Sequence, residues 1–505
     1  MDRMTRAEPL NAPGAARRTL LKQIAAVAAV AGVASVPAIA QQKTGQLPST
    51  PSGQVPVAEA LARFAINLKY EDLPAEVVRT ATRTILDTVG CAIGGYKAGP
   101  SQIAIKLAGD VTARQGATVL CSGIKTSPDL AVFANGVMMR YLDFNDGYVS
   151  LTHSPGHPSD TLAALLTAAE LSGCSGRDLI TATVLTFEVF CKVLDVVDAQ
   201  ALGVDHSTIT GLAAVVGVGR LMSLSQAQLV DAIGLTVAGN TAIHQGRVGT
   251  LSNWKAFAAA DACRKAMFSI QLVQNGMTGP RQVFEGRDGF FNVINRKPFT
   301  LPAFGEPYGI MRAFTKRFPL GEFSQTVAQA AVEARPLFTD VSEIREVNIS
   351  VSRAAIKIMA DGPDKWRPQT HETADHSIPY AAALALTYGK VETEYYDDPY
   401  LHDPRLLDLV SRVKVIPSDE ADRMEKEYNL CDLEIVLKSG EPKKVRVEYH
   451  RGHWKNPMTD AEMEEKFRLL AAKQLSADRV DNLLRLLWGI GALPQAAAII
   501  AATQV

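Results

Sequence analysis

One loop of this chain gathers side chains that can move protons. The segment DFNDGYVSLTHSPGHPSD, residues 143–160, contains three aspartates and two histidines: Asp143, Asp146, Asp160, His153 and His157. Its prolines and glycines keep it out of a regular helix. His157 stands directly before a predicted helix start at Ser159, where free N–H groups and a partial positive charge could hold an anion. The loop therefore indicates proton transfer beside an anion site, although Ser159 and Asp160 also fit the simpler interpretation of helix caps.

Three further segments carry candidate groups. His206 enters a helical run in GVDHSTITG, and Lys255 lies among small apolar residues in LSNWKAFAAA. A lysine in such surroundings is either a snorkelling surface residue or a partly buried functional one. In ETADHSIPY, His376 lies between Asp375 and Tyr380. The simpler interpretation of that segment is a helix cap by Asp375 and a core position for Tyr380.

Other classes of site find no support in the sequence. It has no H-E-x-x-H pair, no G-x-x-x-x-G-K-[ST] phosphate loop and no G-x-S-x-G elbow. His153 and His157 are separated by Pro155 and Gly156, which prevents a helical pair of metal ligands. The six cysteines are scattered without a C-x-x-C pair, so we expect buried thiols rather than zinc or iron–sulfur ligands. We predict no metal and no cofactor, and a net charge of −1 gives no footprint for nucleic acid.

The elements that must position these groups change in type along the chain. The 505 residues are 47% hydrophobic and 21% charged, which is typical of a globular protein with two or three domains. Apolar residues at three-to-four spacing predict helices over 72–95, 159–173, 225–239 and 253–276, each ending in glycine or beside it. Their many small residues favour close helix packing. We therefore predict a large all-helical domain over residues 54–310.

A smaller α+β domain is predicted over residues 311–457. Alternating apolar and polar residues predict a strand in EIREVNISV and a hairpin in CDLEIVLKSGEPKKVRVEYH, with a helix in DHSIPYAAALALTYG between them. Residues 458–505 return to a helical pattern, and we expect them to pack back on the large domain. The predicted fold class is thus mainly α with an α+β part, and the sequence shows no internal repeat.

The first residues predict export. Residues 1–40 have a basic start with Arg17-Arg18, an apolar run and a small-residue ending, Ala38-Ile39-Ala40, as in a twin-arginine signal. The apolar run is short, rich in alanine and interrupted by Pro37, so a permanent membrane anchor is the weaker interpretation. Residues 41–53 predict a disordered spacer. We expect a periplasmic protein that uses the twin-arginine export machinery; that compartment would permit disulfides, but the sequence shows no pairing.

Five motifs in order resemble one known family. They are LDFNDGY…GHPSD, HSTITG, LSNWKAFAAADACRKA…NGMTGP, KRFP…EFSQT and ETADHSIPYAAALAL, and together they span about residues 55–460. The sequence resembles the MmgE/PrpD family, which includes 2-methylcitrate dehydratase and cis-aconitate decarboxylase. The resemblance implies a helical domain built from both chain ends, a smaller lid-like α+β domain, a homodimer, and no metal or iron–sulfur cluster.

The resemblance also assigns residues. Asp143, His157, His206 and Lys255 match the family's active-site positions, and Lys316 matches the lysine before its FP segment. We predict that these four are catalytic, and that Lys316, His376 and Tyr380 bind the substrate. The four catalytic residues should converge on one pocket between the helical domain and the smaller domain.

This chain departs from the family pattern at three places. Gly147 stands where many members have threonine, FPLGEFSQT lacks the histidine that commonly follows FP, and the loop before His157 is longer and adds His153.

The chemistry implied is that of a cofactor-independent lyase. It would dehydrate or decarboxylate a small polycarboxylate or hydroxy acid, with Asp143 orienting a neighbour and His157 moving a proton. Lys255 and a protonated histidine would stabilise the developing carbanion-like charge. Two alternatives stay open: a non-catalytic periplasmic carboxylate-binding protein, and a hydroxy-acid isomerase or racemase. The sequence does not identify the substrate or choose between dehydration and decarboxylation.

Overall fold

Helices dominate the first half of the chain. The computed structural model describes residues 55–424 and 429–505, so the predicted export signal and spacer lie outside the described residues. The helices of this part are α1 Val57–Asn67, α2 Ala75–Gly95, α3 Gly99–Gly109, α4 Pro128–Arg140, α5 Leu162–Ser172, α6 Gly176–Leu194, α7 Ser207–Leu221, α8 Gln226–Gly239, α9 Trp254–Gln274 and α10 Phe290–Val293. Two short ribbons accompany them, β1 Ala117–Thr118 with β2 Lys125–Thr126, and β3 Tyr148–Val149 with β4 Pro155–Gly156.

The predicted helices are confirmed, with two corrections at their starts. Helix α2 begins at Ala75 rather than at Asp72, whose side chain caps nothing because it lies in a preceding 3₁₀ turn. Helix α5 begins at Leu162, since Pro158–Thr161 forms a separate 3₁₀ turn. The capping interpretation of Ser159 and Asp160 is therefore wrong. Both side chains accept hydrogen bonds from the amide of Asn145, each at 2.9 Å.

Small residues bring the central helices together. Helices α4 and α9 approach so closely that a Cβ on Gly136 would lie 2.8 Å from that of Ala260. This contact fixes the C-terminal end of α4, from which the loop of residues 143–160 departs. The loop is therefore attached to a closely packed helix pair.

The second half of the chain is the predicted α+β part. Its helices are α11 Gln325–Ala334, α12 Arg353–Met359, α13 Pro363–Trp366, α14 His371–Ala374, α15 Ile378–Tyr388, α16 Pro404–Ser411 and α17 Asp419–Met424. Its sheet has the order β6-β5-β7-β8, with β5 Ile344–Val351, β6 Val413–Pro417, β7 Cys431–Leu437 and β8 Pro442–Val447. Strand β5 pairs parallel with β6 and antiparallel with β7, and the predicted hairpin is the β7–β8 pair.

Two hydrophobic cores underlie this arrangement. In the sheet, Val347, Ile349 and Val351 point to the buried face, on which α11 and α15 pack. The helical core includes side chains of the C-terminal helices α18 Asp460–Ala471, α19 Ala477–Trp488 and α20 Ala497–Ala502, for example Phe467 against Gly90. The fold class, mainly α with an α+β part, is confirmed. The domain boundaries at 310 and 457 stay predictions, because all the described residues belong to one compact unit.

The six cysteines are free, and all but the half-buried Cys174 are buried. Among the described residues, none of the helices combines the length and the apolar character that crossing a bilayer requires.

Candidate active site

The loop of residues 143–160 makes a tight contact at Gly147. Gly147 and Phe314 exchange two backbone hydrogen bonds of 2.9 Å, and a Cβ on Gly147 would lie 2.3 Å from the Phe314 ring. No side chain fits there unless that ring moves, which explains why glycine stands where many members of the family have threonine. The additional residues form the tip of the β3–β4 ribbon, where His153 has a positive φ of 65°.

Beneath the loop lies a set of buried charges that we call the ion-pair network: Arg140, Asp143, Lys255, Lys316 and Asp375. Arg140 forms a salt bridge with Asp143, and the Lys316 ammonium donates to the same carboxylate at 2.7 Å. Lys255 lies 3.4 Å from the other Asp143 oxygen and donates to both oxygens of Asp375, at 2.6 and 2.5 Å. Every member is at most 2% exposed. Each of these charged groups is therefore paired with an opposite charge, and the pairs are shielded from water.

The network keeps its aspartates ionised. Burial alone would raise the pKa of Asp143, but Arg140, Lys255 and Lys316 hold that pKa well below its usual range. Burial likewise opposes ionisation of Asp375, and Lys255 with His376 lowers its pKa. Asp143 also has a left-handed backbone, φ 48°, which is unusual for a residue other than glycine. This conformation turns its carbonyl toward Lys316 at 3.2 Å.

His157 is fixed as a neutral imidazole by its two neighbours. Its Nδ1 lies 2.7 Å from the carbonyl oxygen of Asp146, which can only accept, so Nδ1 carries the hydrogen. Its Nε2 lies 2.8 Å from an Arg140 nitrogen, which can only donate, so Nε2 accepts. Burial first, and then Arg140 and Lys316, place the pKa of His157 well below its ordinary value. The lone pair that a base would use is therefore occupied.

His206 differs from its neighbour in having a ring nitrogen without a partner. The two imidazoles meet edge to face with centroids 5.4 Å apart. Its Nδ1 lies 3.8 Å from Asp205, whereas its buried Nε2 has no hydrogen-bond partner among the described residues. Burial lowers the pKa of His206 to about 3; Asp205 opposes this and Arg247 adds to it. His206 is therefore a neutral ring with a free lone pair or N–H.

His376 lies at the edge of the ion-pair network, with one ring nitrogen facing the carboxylates of the network. Its Nδ1 lies 2.7 Å from Asp375 and 3.2 Å from Asp143, so Nε2 faces away from these carboxylates. Burial and Lys255 lower the pKa of His376, while the two aspartates raise it. Asp375 does not cap the start of α15, whose N-cap is Ser377, accepting from the backbone N–H of Tyr380; Asp375 is instead the C-cap residue of α14.

A cavity of about 350 Å³ opens above these groups, between the helical part and the α+β part. Its volume lies within the range typical of small-ligand sites. Its polar lining comprises Arg140, Ser154, His157, Gln200, His206, His244, Arg247, Glu322, Lys357, Asp361 and His376. Three cationic side chains and four histidines face two acids, which favours an anionic ligand.

The structure brings the predicted residues together at two depths. His157, His206 and His376 line the cavity, whereas Asp143, Lys255 and Lys316 lie beneath it in the ion-pair network. The surface interpretation of Lys255 is therefore wrong, and its predicted contact with developing substrate charge stays a prediction.

Tyr380 is not brought to the cavity. It is fully buried in the smaller core, and its hydroxyl donates to the Tyr395 carbonyl at 3.0 Å. The simpler interpretation as a core residue fits this position.

Sequence reasoning missed several cavity residues. Arg140 could have been found, since it ends an otherwise apolar helix three residues before Asp143. Glu322 lies within the EFSQT motif, directly after the FPLG segment. No local signal marked Arg247 or Lys357.

One cluster of the described residues has the composition of a metal site. Ligand atoms of Asp143, Asp375 and His376 lie within 4.8 Å of one another. Both carboxylates, however, already bind the ammonium of Lys255. A divalent cation placed there would meet that charge at close range, so this donor set is better suited to the lysine than to a metal.

Known proteins are similar in sequence to most of this chain. Residues 59–301 match the MmgE/PrpD N-terminal domain, and residues 318–489 match the MmgE/PrpD C-terminal domain. Cis-aconitate decarboxylase of Homo sapiens is 26% identical over 445 residues, which cover 85% of this chain and 91% of that protein. The mitochondrial 2-methylcitrate dehydratase of Yarrowia lipolytica is 27% identical, with 79% and 80% covered. The 2-methylcitrate dehydratase of Escherichia coli K12 is 26% identical, with 83% and 90% covered.

Proposed function

We propose that this chain, which belongs to the MmgE/PrpD family, is a lyase that dehydrates or decarboxylates a small polycarboxylate or hydroxy acid without a cofactor. The relatives named above are dehydratases and a decarboxylase, which supports a lyase. The observation that carries the proposal is a single cavity in which four imidazoles and two guanidinium groups meet. Proton transfer and anion binding are what both reactions require.

The substrate's carboxylate binds at Arg247 and Lys357. Arg247 donates to Asp205 at 2.8 Å and to the Lys255 carbonyl at 3.1 Å, while its buried Nη2 has no hydrogen-bond partner in the described part of the chain. Lys357 is exposed at the cavity and forms no ion pair with any described residue. Charge-assisted hydrogen bonds to these two donors contribute about 1.5–3 kcal/mol each.

His206 is the base. It removes the proton from the carbon next to the carboxylate, and the electron pair of the broken C–H bond spreads onto that carboxylate. Its unpartnered Nε2 is directed at buried space, and its neutral state in the empty site leaves it able to accept a proton. A bound anion raises the pKa of His206, since it stabilises the imidazolium.

His376 is the acid. Burial and Lys255 lower the pKa of His376 in the empty site, and Asp143 and Asp375 oppose this; a bound anion raises that pKa, so the ring takes up its proton when the substrate binds. In dehydration, its Nε2 proton goes to the leaving hydroxyl, which departs as water when the C–O bond breaks. In decarboxylation, CO₂ leaves, and the same proton forms the new C–H bond. His157 takes no proton in this scheme and instead holds Arg140 at the cavity.

Proton NMR in D₂O tests the proposal. Purified protein is incubated with a panel of di- and tricarboxylates, with and without a 3-hydroxyl group. Loss of water or CO₂ from one compound is the expected result. Deuterium exchange without elimination would support an isomerase or racemase instead. Line broadening without any reaction would support a carboxylate-binding protein.

We also propose that the chain is exported to the periplasm and forms a homodimer. Arg17-Arg18 with Ala38-Ile39-Ala40 supports export, and the family resemblance supports the dimer. Sedimentation velocity of the purified mature protein tests the dimer: the expected result is a species with twice the mass of the chain, and a species with the mass of a single chain would contradict it.

A further inference from the structure

Glu322 is an acid in a cavity otherwise suited to anions. It begins the 3₁₀ turn Glu322–Ser324, is 6% exposed, and has its Oε2 3.9 Å from His157 Nε2. That buried oxygen has no hydrogen-bond partner among residues 55–424 and 429–505. A buried carboxylate oxygen without a hydrogen bond is unfavourable, because it has lost water and the nearby charge of Arg140 does not replace the missing donor. Its position at the cavity indicates that a ligand supplies the missing donor.

The polar groups of the cavity follow one another in a fixed order. Glu322 is next to His157, and the His157 ring contacts that of His206. His206 is in turn next to Asp205, which holds Arg247. Two imidazoles therefore separate Glu322 from the cation Arg247. Arg140 also lies near Glu322, but its charge is already paired with Asp143 and it bonds His157.

Lys357 belongs to the Arg247 end of the cavity. Its charge acts on His244, which shares the turn His244–Arg247 with Arg247. The other acid of the lining, Asp361, is exposed, so solvent and salt screen its charge. Glu322 is thus the one buried acid among the described residues that line the cavity.

We propose that Glu322 determines which substrates fit and how they lie. It accepts a hydrogen bond from a hydroxyl group of the bound acid and excludes a carboxylate from that end of the cavity, so the substrate's carboxylates gather at Arg247 and Lys357. The ligand class is therefore a hydroxy acid whose hydroxyl and carboxylate point to opposite ends. This inference rests on the proposed function only in taking the cavity as the substrate site.

Three probes with one carbon skeleton test it by calorimetric titration of the whole protein. Glutarate, 3-hydroxyglutarate and tricarballylate carry hydrogen, hydroxyl and carboxylate at the same carbon. For the wild type, we expect 3-hydroxyglutarate to bind about tenfold more tightly than glutarate, and tricarballylate to bind no more tightly than glutarate. Glu322→Gln should tighten tricarballylate binding by about tenfold and narrow the preference for the hydroxyl.

Two further variants keep the interpretation clear. Glu322→Asp keeps the charge and should still exclude tricarballylate. If Glu322→Gln does not fold, the order of the three affinities in the wild type decides the question. Glu333→Gln removes one negative charge from an exposed position of α11, the helix that follows Glu322. It should leave all three affinities unchanged.

The outcomes separate the inference from the function. Equal ratios of the three affinities in the wild type and in Glu322→Gln would overturn the role of Glu322, and lyase activity of the wild type would still stand. A wild type that prefers tricarballylate would also overturn it. If the wild type binds none of the probes, the anion-binding cavity itself is wrong, and the proposed function falls with the inference.

Discussion

Replacing Lys255 by methionine should act mainly on the stability of the fold rather than on catalysis. The ammonium of Lys255 lies 2.6 and 2.5 Å from the two oxygens of Asp375, and both side chains are at most 2% exposed. Removing one partner of a buried ion pair leaves the other charge uncompensated, at about 3–5 kcal/mol. Methionine has nearly the same length as lysine, so little of the effect should come from packing.

The loss should depend on pH through His376. Lys255 is the largest charge that lowers the pKa of His376, and its removal lets that pKa rise. Below the new pKa, His376 becomes the cation that Asp375 and Asp143 lack, since its Nδ1 already lies 2.7 and 3.2 Å from them. We therefore expect Lys255→Met to lower the free energy of unfolding by about 3 kcal/mol at acidic pH and by about 5 kcal/mol at alkaline pH.

The assay is urea unfolding followed by circular dichroism at two pH values. Lys357→Met is the matched control, because Lys357 is exposed and forms no ion pair with any described residue; we expect a change within about 0.5 kcal/mol. The double variant Lys255→Met with Asp375→Asn removes both charges and should recover most of the stability. A Lys255→Met change below about 1 kcal/mol, or a double variant no more stable than Lys255→Met, would refute the reasoning. Lost turnover with unchanged stability would instead mean that the ammonium meets the substrate directly.

Four further outcomes are expected. His206→Gln should lower kcat by roughly 10²–10⁴ while the melting temperature stays the same, since it removes the proposed base; turnover within about tenfold of the wild type would contradict that role. Burial raises the pKa of Asp146 from 3.8 to about 8, so the protonated carboxyl stabilises the fold fully below pH 3.8, and this stabilisation is lost as the pH rises toward 8. The free energy of unfolding should therefore fall with pH in this range by up to about 1.4 kcal/mol per pH unit, and Asp146→Asn should flatten that slope. An unchanged slope in the variant would count against this. Dialysis against a chelator should leave turnover intact, and restoration of lost activity by one equivalent of metal would disprove the metal-free site. In the native host, N-terminal sequencing should find a chain that begins near Gln41 in the periplasmic fraction, and an uncleaved chain in the cytosol would overturn export.

The fold class, most helices and strands, and the family could all be predicted from the amino-acid sequence. These depend on local order: apolar spacing, glycine stops and five motifs that follow one another along the chain. The same motifs contain His157, His206 and His376, which do line the cavity. Where the local signal was ambiguous, as at Ser159 and Asp160, the capping interpretation failed because Asn145, earlier in the same loop, donates to both side chains.

The roles of the charged residues depend on contacts between distant parts of the chain. Lys316 and Asp143 are 173 positions apart, and Lys255 and Asp375 are 120 apart, yet each pair shares one buried contact. Because burial removes water, these long-range pairs settle which lysines are neutralised and which cations stay available to a ligand. The hydrogen on His157 is fixed in the same way, since an acceptor on one side and a donor on the other leave a single tautomer. A sequence contains the groups, but their protonation and exposure follow from neighbours that only the folded chain brings together.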